Sequence, residues 1–389
     1  MTPNVAGTTM RPARQPALDA LRGLVMVIMA LDHVRDFFHS GAQLFSPEDL
    51  TRTTIPIFLT RWITHFCAPV FMLTAGASAW LWQSAKAAMP RERSAFLLSR
   101  GLWLVLLDFT LLHIGMDFVL RIPLVILNVL WALGWSMIIL SALSYLPPRV
   151  LAPLSIAVIA LHNLADPVRD GWIWTVLHRP GAIVLGKYTV VFAYPLIPWF
   201  AVMALGYSMG PLFRMDNVRR AQWFYRTGAA ATAAFLLLRT LNVYGDPFPW
   251  RHTVLSFLRT TKYPPSLEFL LMTLGPALML WAWLERHDAT RFKPLIVIGR
   301  VPLFYFLGHF YLAHILAVLM AWIRYGHAAF ALGPMPSMGA PRELFPPGFG
   351  FSLTQVYVLW FAVVCIMYPA CRWYGRYKQR HSYWWLRYL

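Results

Sequence analysis

Residues 18–39 read LDALRGLVMVIMALDHVRDFFH, an apolar run of helix length interrupted by Asp19, Arg22, Asp32, His33, Arg35 and Asp36. An Asp or Arg at the centre of a membrane helix costs about 2.5–3.5 kcal/mol on insertion scales. Several in one segment must therefore face partners or water rather than lipid. At about 100° per residue, Asp32, Arg35, Asp36 and His39 follow the i, i+3, i+4, i+7 pattern of one stripe, with His33 at its margin. The stretch predicts a first span whose polar face is enclosed by other helices. At ~1.5 Å per residue, its polar group lies roughly 20 Å along the axis from Asp19.

The rest of the chain supplies the enclosure. Of 389 residues, 58% are hydrophobic and 13% charged, with 18 Trp, 16 Tyr and 26 Phe, which excludes disorder, coiled coil and a string of soluble domains. The reading is an all-α polytopic membrane protein of about ten transmembrane helices, over residues 18–38, 56–83, 100–120, 124–146, 150–165, 190–212, 227–241, 267–285, 295–323 and 353–371. A cytoplasmic tail (1–17), a single transmembrane domain (18–371) and a basic cytoplasmic tail (372–389) follow from it. Arg11 and Arg14 precede the first apolar run as in a signal peptide, but the charges within that run mark a retained span.

The net charge of +18 would suggest nucleic acid in a soluble protein, whereas here it reports sidedness and no nucleic-acid partner is expected. With both termini cytoplasmic, alternate connections hold Lys86, Arg91, Arg93 and Arg100, then Arg149, then Arg214, Arg219, Arg220 and Arg226, then Arg286, Arg291 and Lys293. The basic tail agrees. Topology does not account for Arg52, Arg61, Arg169, Arg179, Lys187, Arg251, Arg259, Lys262, Arg324 and Arg342 on the other side, which either solvate loops and meet headgroups or serve an outward polar ligand.

An imidazole beside carboxylates takes a proton from an amine or hydroxyl near neutral pH, or attacks an activated acyl group itself. His33 is the candidate, with Asp32 or Asp36 to orient it and Arg22 below it to meet phosphates of a reagent that enters from the cytoplasm. The bland alternative is an ion-pair lock of Asp32, Arg35 and Asp36 at a helix end, with His33 and His39 as headgroup anchors. His65 lies at the same expected depth. Of Asp108 and Asp117, on opposite helix faces, at least one is structural, and His113 and Asp117 are i, i+4 partners. Ser266 and Glu268 suit a helix start, while Lys262 and Tyr263 beside them have no such explanation. Arg300 either snorkels or meets a phosphate, and Tyr305 and His309 are i, i+4. Cys67, Cys365 and Cys371 read as inert packing residues, and no His/carboxylate spacing suits zinc, so no metal is expected. Without GxGxxG, a Walker loop or GxSxG, nothing points to nucleotide hydrolysis or a serine hydrolase.

Residues 18–38 followed by HFCAPVFMLTAGASAWL (65–81) resemble the start of the heparan-α-glucosaminide N-acetyltransferase catalytic-domain family. TTKYPPSLEFLLMTLGPALML (260–280) and GRVPLFYFLGHFYLAH (299–314) resemble segments of its bacterial members, extending the likeness to about residue 315. The resemblance implies transfer of an acetyl group from cytoplasmic acetyl-CoA to an amino sugar on the far side of the membrane. It also implies a histidine near the outer end of the first catalytic span. The family's active histidine lies in the loop after that span, preceded by an asparagine within it. Ungapped alignment from LDALRG puts the asparagine on His33, and His39 is nearest to the loop histidine. His33 ranks first and His39 second.

The catalytic group expected is His33, Asp32, Asp36, His39 and Arg35, with Arg22, Lys262, Tyr263, Arg300 and His309 at the acetyl-CoA and Arg35 or Lys262 opposite the thioester oxyanion. The expected partners are acetyl-CoA, a glycan or amino-sugar acceptor and membrane lipids, with homodimerisation open, in a bacterial inner membrane. An O-acyltransferase of envelope polysaccharide and a transporter or flippase of an anionic lipid or sugar are the alternatives.

Overall fold

The computed structural model describes residues 15–118, 124–168, 171–327, 343 and 345–388. Arg11, Arg14, Arg169 and Arg342 lie outside them. The fold is 73% helix. In chain order the elements are α1 (Pro16–Phe38), α2 (Ile55–Thr64), α3 (Cys67–Lys86), α4 (Pro90–Leu107), a π-helical turn (Asp108–Leu112), α5 (His113–Asp117), β1 (Leu124–Leu127), α6 (Val129–Leu143) and α7 (Pro148–Leu161). Then follow α8 (Trp172–Leu177), β2 (Gly181–Leu185), β3 (Tyr188–Phe192), α9 (Trp199–Ser208), α10 (Asn217–Leu241) and α11 (Val254–Leu258). The chain closes with α12 (Leu267–Arg286), α13 (Lys293–Gly299), α14 (Pro302–Tyr325) and α15 (Leu353–Arg380).

Among the described residues, six helical stretches are long and apolar enough to cross a membrane: Ile55–Lys86, Pro90–Asp117, Pro148–Ala165, Leu267–Arg286, Pro302–Tyr325 and Leu353–Arg380. The other segments read as spans are of a different character. α1 carries six ionisable residues, α10 carries Arg219, Arg220, Arg226 and Arg239, and α6 and α9 are short. Two of the expected spans also begin differently. Residues 124–127 and 188–192 pair as parallel strands β1 and β3, with β2 antiparallel on the far side of β3, so the fold carries a small sheet that the all-α reading lacked. LVIL and YTVVF are apolar and rich in β-branched residues, and hydropathy alone does not separate such runs from helix.

The polar first helix is buried at the centre. α1 packs against α2, α3, α12, α13, α14 and α15. Leu21, Met26, Ala30, Val34, Phe37 and Phe38 enter the core, while Asp32 and Arg35 are buried with it. Trp360 of α15 donates its indole N–H to the Val27 carbonyl at 2.8 Å, tying the outermost apolar helix to the innermost polar one. α15 itself is mostly uncovered, with Val358, Phe361 and Ile366 exposed, as a lipid-facing helix requires.

Helices in lipid gain little from hydrophobic burial against one another and depend on close backbone approach. Gly23 of α1 and Gly299 of α13 meet reciprocally: a Cβ on either comes within 1.9 Å of a backbone oxygen of the other helix, Leu295 or Asp19. Gly76, within the small-residue run of α3, meets α9 in the same manner. Overpacking of this kind costs about 1–3 kcal/mol. We expect Gly299→Ala to lower the thermal midpoint of the detergent-purified protein by several degrees. Gly375→Ala, whose Cβ finds nothing nearer than Val301 at 3.8 Å, is expected to leave it in place. Equal midpoints for the two variants would contradict the α1–α13 packing.

Candidate functional site

Two cavities lie end to end along α1. The first, of about 290 Å³, is mostly apolar and carries Arg22, Ser78 and Arg100 among Met26, Trp82, Phe96 and Leu133. The second, of about 180 Å³, holds Asp32, His33, Asp36, Arg61, Asn128, Tyr194, Lys262 and Tyr263. Met29, Phe71, Val129 and Phe306 line both and form the collar where they meet. Arg22 and His33 are eleven positions apart on one helix, which at ~1.5 Å per residue sets them roughly 16 Å apart along its axis.

The walls of the polar cavity are charged and paired. Asp32 receives Arg35 at 3.0 Å, one turn on, and Arg61 from α2. Arg35 also holds Asp36 at 2.5 Å. Arg61 reaches on to Glu48 at 3.1 Å, and His65 meets the same Glu48 oxygen at 2.9 Å. Burial alone would raise the Glu48 carboxyl, but the His65 hydrogen bond and the Arg61 charge outweigh it and hold Glu48 well below the usual carboxylate range. Lys262 is buried with its ammonium 5.1 Å from the centre of the Tyr263 ring, and among the described residues it makes no ion pair. Burial pushes the Tyr263 phenol up, and the Lys262 and Arg61 charges bring it below its ordinary value. Its hydroxyl donates to that of Tyr194 at 3.2 Å.

His33 is oriented from across the fold. Its Nδ1 lies 2.7 Å from His309 Nε2 on α14, and His309 Nδ1 lies 2.8 Å from the Tyr305 carbonyl oxygen. A carbonyl only accepts, so His309 Nδ1 carries the hydrogen and, in the neutral ring, His309 Nε2 is an acceptor. His33 Nδ1–H must then be the donor. That tautomer leaves His33 Nε2 as an unprotonated lone pair, with no hydrogen-bond partner among the described residues, on a ring that lines the polar cavity. Phe310 packs on the ring at 4.1 Å and Phe306 at 6.2 Å.

The residues expected at the site divide. Asp32, His33, Asp36, Lys262 and Tyr263 line the polar cavity, and Arg35 braces its two carboxylates from behind. Arg22 lines the apolar cavity and bonds Ser78 at 3.0 Å. His309 lines neither cavity and instead positions His33. His39 lies beyond the cavity, its Nδ1 accepting the Gly41 N–H at 3.1 Å in the turn that ends α1. Arg300 sits beside Asp19 at 3.6 Å, away from both cavities. His65 acts on Glu48 rather than lining the site. Asp108 accepts the backbone N–H of Asn128 at 2.9 Å at the start of α6 and is structural.

Arg100, Glu48, Asn128 and Tyr194 belong to the site and went unrecognised in the sequence. Asn128 and Tyr194 lie just past the ends of β1 and β3, and their sequence signal is a polar residue at the close of an apolar run.

Comparison with known proteins adds one match. No curated protein matches the chain. Residues 14–245 match the family described as heparan-alpha-glucosaminide N-acetyltransferase, catalytic, a region that contains α1, the collar residues Met29, Phe71 and Val129, and most of the polar wall. More than half of the chain is covered, and with its membrane-length helices this protein belongs to the heparan-α-glucosaminide N-acetyltransferase catalytic family of transmembrane acetyltransferases.

Proposed function

We propose that the protein moves an acetyl group from cytoplasmic acetyl-CoA to the amine of an amino sugar on the opposite side of a bacterial inner membrane. About ten crossings and two cytoplasmic termini go with this reading. The observation that carries it is the His33–His309 pair, whose tautomer leaves an unprotonated nitrogen in a cavity that abuts a second, apolar cavity with two guanidinium groups. Arg22 and Arg100 suit the phosphates of CoA. The apolar cavity suits the pantetheine arm, and the collar of Met29, Phe71, Val129 and Phe306 limits water where the thioester passes.

The chemistry assigned to the chain is proton transfer and charge stabilisation. His33 Nε2 accepts a proton from the attacking amine as its nitrogen bonds to the acetyl carbon. Lys262 faces the carbonyl oxygen as negative charge develops there. The C–S bond breaks, the electron pair leaves with sulfur, and the His33 imidazolium returns its proton to the thiolate. Asp32, on the next residue and fixed by two guanidiniums, stabilises the imidazolium between those two transfers. An amide product survives mild alkali, whereas an ester formed on a hydroxyl acceptor does not.

Removing a positioned general base costs about 10²–10⁴ in rate. His33→Ala is expected to abolish acceptor-dependent CoA release from acetyl-CoA with glucosamine, and unchanged turnover would sink the assignment of His33. His309→Phe keeps the buried volume but frees the tautomer of His33. We expect its kcat to fall about 10²-fold with both KM values near wild type, and a change confined to KM would show that His309 contacts a substrate instead.

A charged hydrogen bond is worth about 1.5–3 kcal/mol. Arg22→Gln and Arg100→Gln should each raise the KM for acetyl-CoA about tenfold and leave turnover of acetyl-pantetheine, which lacks the nucleotide phosphates, as it is. Equal losses with both donors would place the phosphates elsewhere.

A further inference from the structure

A third cavity, of about 450 Å³, opens beside the polar one and is lined by Asn163, Asp166, Trp174, His178, Arg179 and Tyr263. Tyr263 lines both cavities and is the partition between them. The partition is held firmly. Asp246 accepts the Thr261 N–H and the Ser266 hydroxyl at 2.7 Å each, on either side of Tyr263.

The polar groups of this cavity are ordered by one carboxylate. Asp166 accepts from Asn163 Nδ2 at 2.8 Å and lies 2.8 Å from His178 Nε2. Asn163 is fixed in turn, because its Oδ1 accepts the Leu267 N–H at 2.9 Å. Burial would raise the Asp166 carboxyl, but the hydrogen bonds from His178 and Asn163 prevail and hold it below its ordinary range. An ionised Asp166 accepts only, so His178 Nε2 carries the hydrogen, and in the neutral ring Nδ1 is a bare acceptor.

That acceptor has no partner among the described residues, although His178 is 2% exposed. The indole N–H of Trp174, whose ring centre is 5.1 Å from that of His178, is likewise buried without one. An unpaired buried donor or acceptor costs about 1–3 kcal/mol. A buried acceptor and a buried donor, side by side in one cavity wall, match a ligand hydroxyl that both gives and takes a hydrogen bond. The Trp174 and Tyr263 rings supply the apolar surface that a sugar's C–H face packs against.

We propose that this third cavity is the saccharide subsite of the acceptor, in which His178 and Trp174 bind sugar hydroxyls and Tyr263 guides the amine toward His33. The inference rests on the acetyl-transfer reading and gives it an acceptor path. The amino sugar approaches through the Asp166–His178 cavity while the thioester approaches through the collar, so the two substrates meet at His33 from different directions.

The full-length protein in nanodiscs, titrated with methyl glucosaminide by calorimetry and assayed for acetyl transfer to it, tests the proposal. Trp174→Phe and His178→Phe are expected to weaken saccharide binding about tenfold and raise its KM equally, with the KM for acetyl-CoA unchanged. His33→Ala should bind the saccharide normally and fail to acetylate it. Wild-type affinity in Trp174→Phe, which deletes only the indole N–H and part of the ring, would overturn the subsite even if His178→Phe failed to fold. Absence of saccharide binding by the wild type would overturn it as well. Binding that follows the expected pattern without acetyl transfer would keep the subsite and remove the acetyl-transfer reading.

Discussion

Asp32 shared between Arg35 and Arg61 is the interaction on which the site depends. A carboxylate on a central helix of an apolar protein is tolerated only when paired, and deleting one partner of a buried pair costs about 3–5 kcal/mol because a lone charge remains. The pairing dictates local architecture. Arg61 must sit on α2, so α2 must lie against α1, and Glu48 must return from the α1–α2 connection to hold the other side of Arg61. His65 then completes Glu48. Five residues from three segments thereby fix one wall of the cavity, and His33, next to Asp32 in sequence, is left facing α14.

The two cavities along α1 differ in the way the chemistry demands. Around Arg22 and Arg100 the lining is Met, Leu and Phe, a surface for a long apolar arm with cations at one end. Around His33 the lining is ionic: Asp32 and Asp36 are paired with Arg35 and Arg61, while Lys262, which makes no ion pair among the described residues, lies against the Tyr263 ring. In the proposed reaction, a buried cation beside an imidazole whose tautomer is set is preorganisation of the kind that lowers an acyl-transfer barrier.

Much of this was legible in the sequence because it is local. The stripe of Asp32, Arg35 and Asp36 follows from helical period alone, and its need for enclosure follows from the cost of charge in lipid. Lys262 and Tyr263 were conspicuous because helix initiation explains their neighbours and not them. What could not be read is what depends on contacts between distant segments. His33 and His309 are 276 positions apart, and only their contact shows that His309 orients the His33 ring. Arg300 stayed open in the sequence between snorkelling and a phosphate, because its neighbour Asp19, far off in sequence, was out of view. His39 shares the stripe by period, but α1 ends at Phe38 and the turn takes the ring for its own cap. The sheet escaped because an apolar β-branched run has the same hydropathy in a strand as in a span.

The proposed transfer requires that a thioester reach His33 Nε2 through the collar. A structure of the protein with a non-hydrolysable acetyl-CoA analogue tests it most directly. The pantetheine arm is expected in the apolar cavity, passing between Met29, Phe71, Val129 and Phe306, with the acyl carbonyl beside Lys262 and His33. An arm ending outside the polar cavity, or an acyl group lying away from the Asp32–His33 wall, would contradict it.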